Sequence, residues 1–272
     1  MKSGIKASVS ILLALLLVLS PLLSLPVAAA GEAISIAVEL NSFRDEGDSG
    51  YTQNVGGDSA STLLWKKGDT DATNGYLRLV PDTKWKSGTV VRRSQIQLTN
   101  GFSTYFSFLM TTSGTTSDIL VDGLAFLIYE SDSVKIGQYG GGLGYKGIDP
   151  SIAVEFDNYK NSELNDLYDE HVAIMVNGDP NHADEPSGSV VEYTDLERNT
   201  IHAWVDYNNG SVTATFGTSS TRSNSANKTI TRNVGTFLQG KNVFVGFSSS
   251  TGGEGGNHDL LKWYFKDSYV SG

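Results

Sequence analysis

The chain has 272 residues, a net charge of −10 and no cysteine. The acidic balance excludes the basic footprint that nucleic acid demands, and the lack of cysteine excludes disulfide staples. Hydrophobic residues make up 39% and 30 residues are glycine. Long runs at helical spacing are missing, and short alternating runs sit between Gly, Asn, Asp and Ser, which marks an all-β sandwich or barrel.

Residues 1–30 read as a cleaved secretory signal. Lys2 and Lys6 precede an apolar stretch from Ile11 to Leu19, then Pro21, Pro26 and Ala28-Ala29-Ala30, the order of a basic start, an apolar core and a small-residue cleavage site. The apolar run falls short of the roughly 20 residues a membrane span needs. Residues 31–272 are then a single secreted domain with no stable membrane span, because strand signals continue at regular spacing with no boundary between them.

Ile34–Leu40 is the first strand candidate, and 41–62 reads as a polar, Gly-rich loop. Leu63–Trp65 and Tyr76–Val80 are short strands about the Asn74-Gly75 turn signal, and Val90–Leu98 is one amphipathic strand. In Phe102–Met110, alternation places Phe102, Thr104, Phe106, Phe108 and Met110 on one face. Val121–Ile128 is a buried strand with Asp122 at its mouth. Gly140–Gly144 is a backbone-rich loop, and 177–192 a polar excursion. Ile201–Tyr207 and Ser211–Phe216 flank Asn208-Asn209-Gly210, a strong hairpin signal. Residues 217–228 are a Ser/Thr/Asn stretch. Val243–Phe247 and Leu260–Phe265 are strands joined by a Gly-rich loop over 251–257.

The chemistry concentrates in Glu155-Phe156-Asp157-Asn158-Tyr159-Lys160-Asn161, followed by Asp166 and His171. Glu155 begins this run inside the strand Ile152–Phe156, where alternation sets Ile152, Val154 and Phe156 against Ala153, Glu155, Asp157 and Tyr159. Carboxylates and an imidazole crowded this closely oppose one another unless a cation sits between them. Carboxylate, amide and carbonyl oxygens suit Ca2+, whereas one imidazole among carboxylates suits Mn2+ or another transition ion.

Five stretches in order carry a resemblance. Val121-Asp122-Gly123-Leu124-Ala125-Phe126, Gly140–Gly144, Ile152–Ile174, Val245-Gly246-Phe247-Ser248 and His258–Phe265 resemble the legume-type (L-type) lectin family, in the branch found in secreted microbial proteins. The resemblance covers roughly residues 34–266. It implies a jelly-roll β-sandwich with a flat back sheet, a curved front sheet and a small bridging sheet. It implies that Glu155, Asp157, Asp166 and His171 hold the transition ion, and that Asp157, the Tyr159 carbonyl, Asn161 and Asp166 hold Ca2+. Asp122, Asn161, Tyr159 and an N–H of Gly141 or Gly142 would meet a sugar, with backbone N–H groups at Gly253 and Glu254 choosing a mannose/glucose type. The peptide bond between Val121 and Asp122 would be cis. Partners would be glycans or glycoconjugates, with a homo-oligomer left open.

The competing reading is a glycoside hydrolase on a similar sandwich. That chemistry needs two carboxylates about 5 Å apart. Lys160 stands where the second would follow Glu155 and Asp157, so the chain reads as a binding protein and not an enzyme. His182, His202 and His258 receive no functional assignment from the sequence.

Overall fold

The computed structural model describes residues 38–40, 51–57, 64–67, 75–92, 95–99, 101–114 and 119–270, and ahead of residue 76 it describes the backbone alone. The segment read as a signal lies outside these residues. In chain order the first strands are β1 Val38–Leu40, β2 Tyr51–Gly57, β3 Leu64–Lys67, β4 Gly75–Val80, β5 Lys86–Arg92 and β6 Ile96–Gln97. Then come β7 Gly101–Thr111, β8 Gly123–Glu130, β9 Ser151–Asp157, β10 His171–Val176 and β11 Val190–Glu192. The series closes with β12 Thr200–Asn208, β13 Ser211–Gly217, β14 Lys228–Asn233, β15 Asn242–Ser250 and β16 Asn257–Lys266.

These strands form two antiparallel sheets, a jelly-roll sandwich. One runs β14-β13-β12-β7-β16-β4-β3 with β1 on β16; the other runs β11-β10-β9-β8-β15-β5-β2 with β6 on β15. The expected small bridging sheet is not among the described strands. Apart from two one-turn 3-10 helices at Gly140–Gly142 and Ser162–Leu164, no helix is assigned among the described residues. None is long and apolar enough to cross a membrane.

The alternation of β7 and β9 explains the sandwich. Phe102, Phe106, Phe108 and Met110 turn inward from β7, and Ile152, Val154 and Phe156 meet them from β9. Phe106 stands edge-on to Phe247 at 4.9 Å, and Phe247 to Trp263 at 5.1 Å. Each such side chain contributes about 1.5–3 kcal/mol on burial. Thr104 shares this inward face but stays satisfied, donating to the Tyr264 carbonyl at 2.7 Å and accepting from the Trp263 indole at 3.1 Å.

A second, smaller core covers the outer face of the sheet that holds β8, β9, β10 and β15, the front sheet. Leu143, Tyr145 and Ile148 from the Gly-rich loop pack there against Ala125, Leu127, Ala153, Ala173 and Met175. This packing fixes the glycine loop on the sheet. The hairpin at Asn209-Gly210 has both residues at positive φ, 46° and 86°, as a two-residue turn matched to strand twist requires.

Several boundaries differ from the sequence reading. β2 lies within the stretch read as loop at 41–62, β11 falls in the polar excursion at 177–192, and β14 follows the Ser/Thr/Asn stretch in residues the sequence reading left unassigned. The run Val90–Leu98 is two strands, β5 and β6, and β5 begins four residues earlier. β8 starts at Gly123, leaving Val121 and Asp122 in the turn before it.

Candidate functional site

The front-sheet neighbours β8, β9 and β10 place the acidic cluster. His171 pairs with Asp157 and Ala173 with Glu155 across β10 and β9, while Gly123 and Ala125 pair with the same two carboxylate residues from β8. Glu155 and Asp157 therefore emerge on one face, next to each other, with His171 beside them. Ser162–Leu164 then turns the chain so that Asp166 returns. Its Oδ2 accepts the Asn161 N–H at 2.5 Å.

Glu155, Asp157, Asp166, His171 and His182 are all buried. Two overlapping groups have ligand atoms close enough to share an ion: Glu155 with His171 and His182, and Asp157 with Asp166 and His171. Burial raises Asp157 well above the usual carboxylate range, reinforced by Glu155. Burial likewise raises Asp166, against the Asn161 N–H that stabilises its charge. Burial works the same way on Glu155, but the imidazoles of His171 and His182 outweigh it and hold that carboxyl at about 2. Buried carboxylates that resist ionisation, grouped with converging imidazoles, suit a divalent cation. The Asn161 Oδ1 is a buried acceptor without a partner, which an oxygen-seeking ion such as Ca2+ would satisfy. The donor set thus fits a hard cation on the Asp157, Asp166 and Asn161 side and a transition ion on the imidazole side.

His182, without an assignment from the sequence, joins the cluster in the structure. It sits in the 177–192 excursion, pinned by its own N–H to the Leu164 carbonyl at 2.8 Å. Its Nε2 lies 2.9 Å from Glu155 Oε1, 3.6 Å from Asp166 Oδ1 and 3.2 Å from His171 Nε2. Glu155, Asp166 and Glu185 outweigh the burial that disfavours its charge, and its pKa is raised.

Beside the cluster lies a small polar concavity. The Val121–Asp122 bond is cis, and the Asp122 carboxylate is buried with Oδ2 unpartnered. Burial, with Glu163 nearby, pushes it up to about 7. Two glycines make room. A Cβ on Gly141 would stand 2.3 Å from Asn161 Oδ1, and one on Gly252 would stand 2.7 Å from Asp122 Oδ2. The Gly140 N–H donates to the Thr251 carbonyl at 3.1 Å, and a Cβ on Gly140 would come 4.0 Å from the Gly252 Cα. The Gly140–Gly142 turn and the 251–256 loop thus meet across the concavity.

The remaining sequence-derived residues divide. Among the described residues, the N–H groups of Gly141, Gly253 and Glu254 have no acceptor. Gly142 differs: its N–H donates to Tyr139 at 3.3 Å and its Cβ position faces Gln138 and Lys146, so Gly141 alone of the pair faces Asn161. The Glu254 carboxylate is 3.3 Å from the Lys84 ammonium, which leaves only its backbone directed elsewhere. Tyr159 donates its N–H to Asp157 at 2.8 Å, and its ring is exposed. Leu143 is not at the concavity but wholly buried beneath the loop.

Two exposed aromatics were missed. Trp85, 43% exposed, and Tyr139, 45% exposed, meet edge to face at 5.6 Å. The Trp85 N–H donates to the Gly252 carbonyl at 3.0 Å, and its ring lies 3.8 Å from a Cβ position on Gly253. The run Lys84-Trp85-Lys86 holds the one available signal, a large ring placed between two lysines.

A two-sheet jelly roll whose front-sheet loops gather carboxylates, an amide and glycines defines a lectin-like class of protein. Residues 49–271 match the family model of the legume lectin domain, and the chain belongs to that family. It is 32% identical over 227 residues to the L-type lectin-domain containing receptor kinase VIII.1 of Arabidopsis thaliana, covering 75% of this chain and 30% of that protein. It is 28% identical over 222 residues to the L-type lectin-domain containing receptor kinase SIT2 of Oryza sativa subsp. japonica, covering 72% and 32%. The chain thus spans about a third of the length of these relatives. Among solved structures it resembles peanut lectin with a nine-residue peptide, at 25% identity and a TM-score of 0.66, covering 84% of this chain and 95% of that one. These relatives are plant proteins and lend no support to a microbial branch.

Proposed function

We propose that this chain is a secreted, non-catalytic carbohydrate-binding protein whose glycan site is the concavity formed by Asp122, Gly141, Asn161, Tyr159 and the 251–256 loop. The observation that carries this is the pair of close approaches at Gly141 and Gly252, which leave the Asn161 and Asp122 side-chain ends facing a space a methyl group would fill. Sugars present hydroxyls in pairs. The Asp122 carboxylate accepts two charge-assisted hydrogen bonds, the Asn161 amide and the Gly141 N–H donate, and the Tyr159 ring offers an apolar face to C–H groups.

Glu155, Asp157, Asp166 and His171 would hold a transition ion, and Asp157, Asn161, Asp166 and the Tyr159 carbonyl would hold Ca2+. When bound, these ions neutralise the buried carboxylates and lock the 158–170 loop. Asn161 then keeps its oxygen inward and its NH2 toward the sugar. The N–H groups of Gly253 and Glu254, free of internal acceptors, support the mannose/glucose type.

Isothermal titration with methyl mannoside, methyl glucoside and galactose, before and after EDTA treatment, tests the reading. The expected result is millimolar affinity for the first two, about −4 kcal/mol, abolished by EDTA and restored by Ca2+ with Mn2+. Binding indifferent to EDTA would overturn the metal dependence. No binding of any sugar or multivalent glycan by the metal-loaded chain would overturn the assignment itself.

A further inference from the structure

We propose that His182 is a direct ligand in the transition-ion seat, so that this seat presents two imidazoles and selects a nitrogen-preferring ion such as Zn2+ or Co2+ over Mn2+. The inference rests on the reading of the cluster as a metal seat and adds a residue that this reading does not use. Its basis is geometric. Ligand atoms about 2.1 Å from an ion stand about 3.0 Å apart across a right angle and about 3.4 Å apart at the tetrahedral angle. His182 Nε2 lies 2.9 Å from Glu155 Oε1, 3.2 Å from His171 Nε2 and 3.6 Å from Asp166 Oδ1, and His171 Nε2 lies 3.7 Å from Glu155 Oε1. The Glu155, His171 and His182 atoms all lie within 4.8 Å of one another and already form one face of a coordination polyhedron, with Asp166 Oδ1 beside His182.

The rings cannot be explained as packing alone. They stand at 81° with centroids 4.9 Å apart, an arrangement that turns both Nε2 atoms toward one point while both side chains are buried. Glu155 Oε1 is at that point too, buried and without an aligned hydrogen bond. Its other oxygen is already engaged by the Tyr145 hydroxyl at 2.5 Å. An imidazole in place of a water or carboxylate makes a site softer and favours zinc, cobalt and nickel over manganese. The alternative is a plain ion pair between a protonated His182 and Glu155, with His182 outside the coordination sphere.

The metal-free full chain, loaded with Ca2+ and then with Zn2+, Co2+ or Mn2+ separately, distinguishes these. X-ray absorption at the zinc edge of the wild-type protein should show two imidazoles, and competition titration should show a zinc preference over manganese. His182→Gln should narrow that zinc-to-manganese ratio by about tenfold or more and shift the visible spectrum of bound Co2+. Zinc bound with one imidazole, or a ratio unchanged in a His182→Gln protein that still melts cooperatively, would overturn the role of His182 and leave the metal seat standing. If His182→Gln fails to fold, the absorption spectrum of the wild-type protein decides alone. Failure of the wild-type chain to take up any of the three ions would overturn the seat as well.

Discussion

Tyr145 donates its hydroxyl to Glu155 Oε2 at 2.5 Å from the core beneath the glycine loop. The bond ties the second hydrophobic cluster to the acidic one, and it fixes which oxygen of Glu155 points toward His171 and His182. Tyr145→Phe removes the hydroxyl and leaves the ring. The expected outcome is a metal-free protein less stable by about 1–3 kcal/mol, since a buried carboxylate oxygen loses its partner. Transition-ion affinity should fall about 10–100-fold, the usual consequence of freeing a ligand from its support. Urea unfolding and metal titration measure the two effects separately.

The close approach of Gly252 to Asp122 gives a sharper probe of the concavity than removal of the acid. Gly252→Ala would place a Cβ 2.7 Å from Asp122 Oδ2 and push the carboxylate aside. Sugar binding should drop at least about tenfold, about 1.4 kcal/mol, with metal content and melting temperature nearly unchanged. Asp122→Ala should abolish binding under the same conditions. Titration calorimetry that finds both variants fully active would remove Asp122 from the site.

Trp85 and Tyr139 extend the rim of the concavity beside Gly253. A glycan longer than one residue would lie over them, and Trp85→Ala should weaken such a ligand about three- to tenfold, or 0.5–1.5 kcal/mol. A methyl glycoside, too short to reach, should bind as before. Equal losses for the short and long ligands would show that the Trp85 ring acts by packing beside Gly253 and holding the loop.

His258 gives the pH dependence a definite sign. Its Nδ1 meets Ser249 Oγ at 2.7 Å, and that hydroxyl donates to the Gly123 carbonyl at 2.9 Å. Burial, aided by the positive Arg78, lowers the imidazolium from 6.5 to about 3. Between those values the unfolded chain takes up a proton that the folded chain refuses. Stability from this group is therefore complete above about pH 6.5 and is lost as the pH falls toward 3, by up to about 1.4 kcal/mol per pH unit. His258→Gln should flatten that slope relative to wild type. Urea midpoints measured from pH 7 to pH 4 in both proteins provide the test, and parallel curves would contradict the assignment.

Alternation made β7 and β9 legible, because their inward residues are large and apolar, and in β9 the outward ones carry the acids. That pattern alone placed Glu155 and Asp157 on one face. It could not show β2, whose sequence is polar and Gly-rich and which becomes a strand by pairing with β5. Nor could it show β14, where Ile230 alone is buried. His182 was illegible for a related reason. It lies in a polar excursion, and only the return of that segment over Leu164 brings its ring to Glu155. The two glycine approaches were half legible: the runs were visible, but which glycine faces Asn161 depends on how Leu143 and Tyr145 anchor the turn.

The two strands latest in the chain are not at the margins of the sandwich. β15 lies between β8 and β5, and β16 between β7 and β4. On a ribosome, β4, β5, β7 and β8 therefore emerge with the places beside them vacant, and neither sheet can close until residues 242–266 have left the exit tunnel. Until then the nascent chain carries unpaired strand edges flanked by Phe-rich faces, the combination most prone to pairing with the wrong neighbour. Synthesis paused short of residue 242 would leave a chain that needs a chaperone to hold it, whatever sugar or metal is at hand.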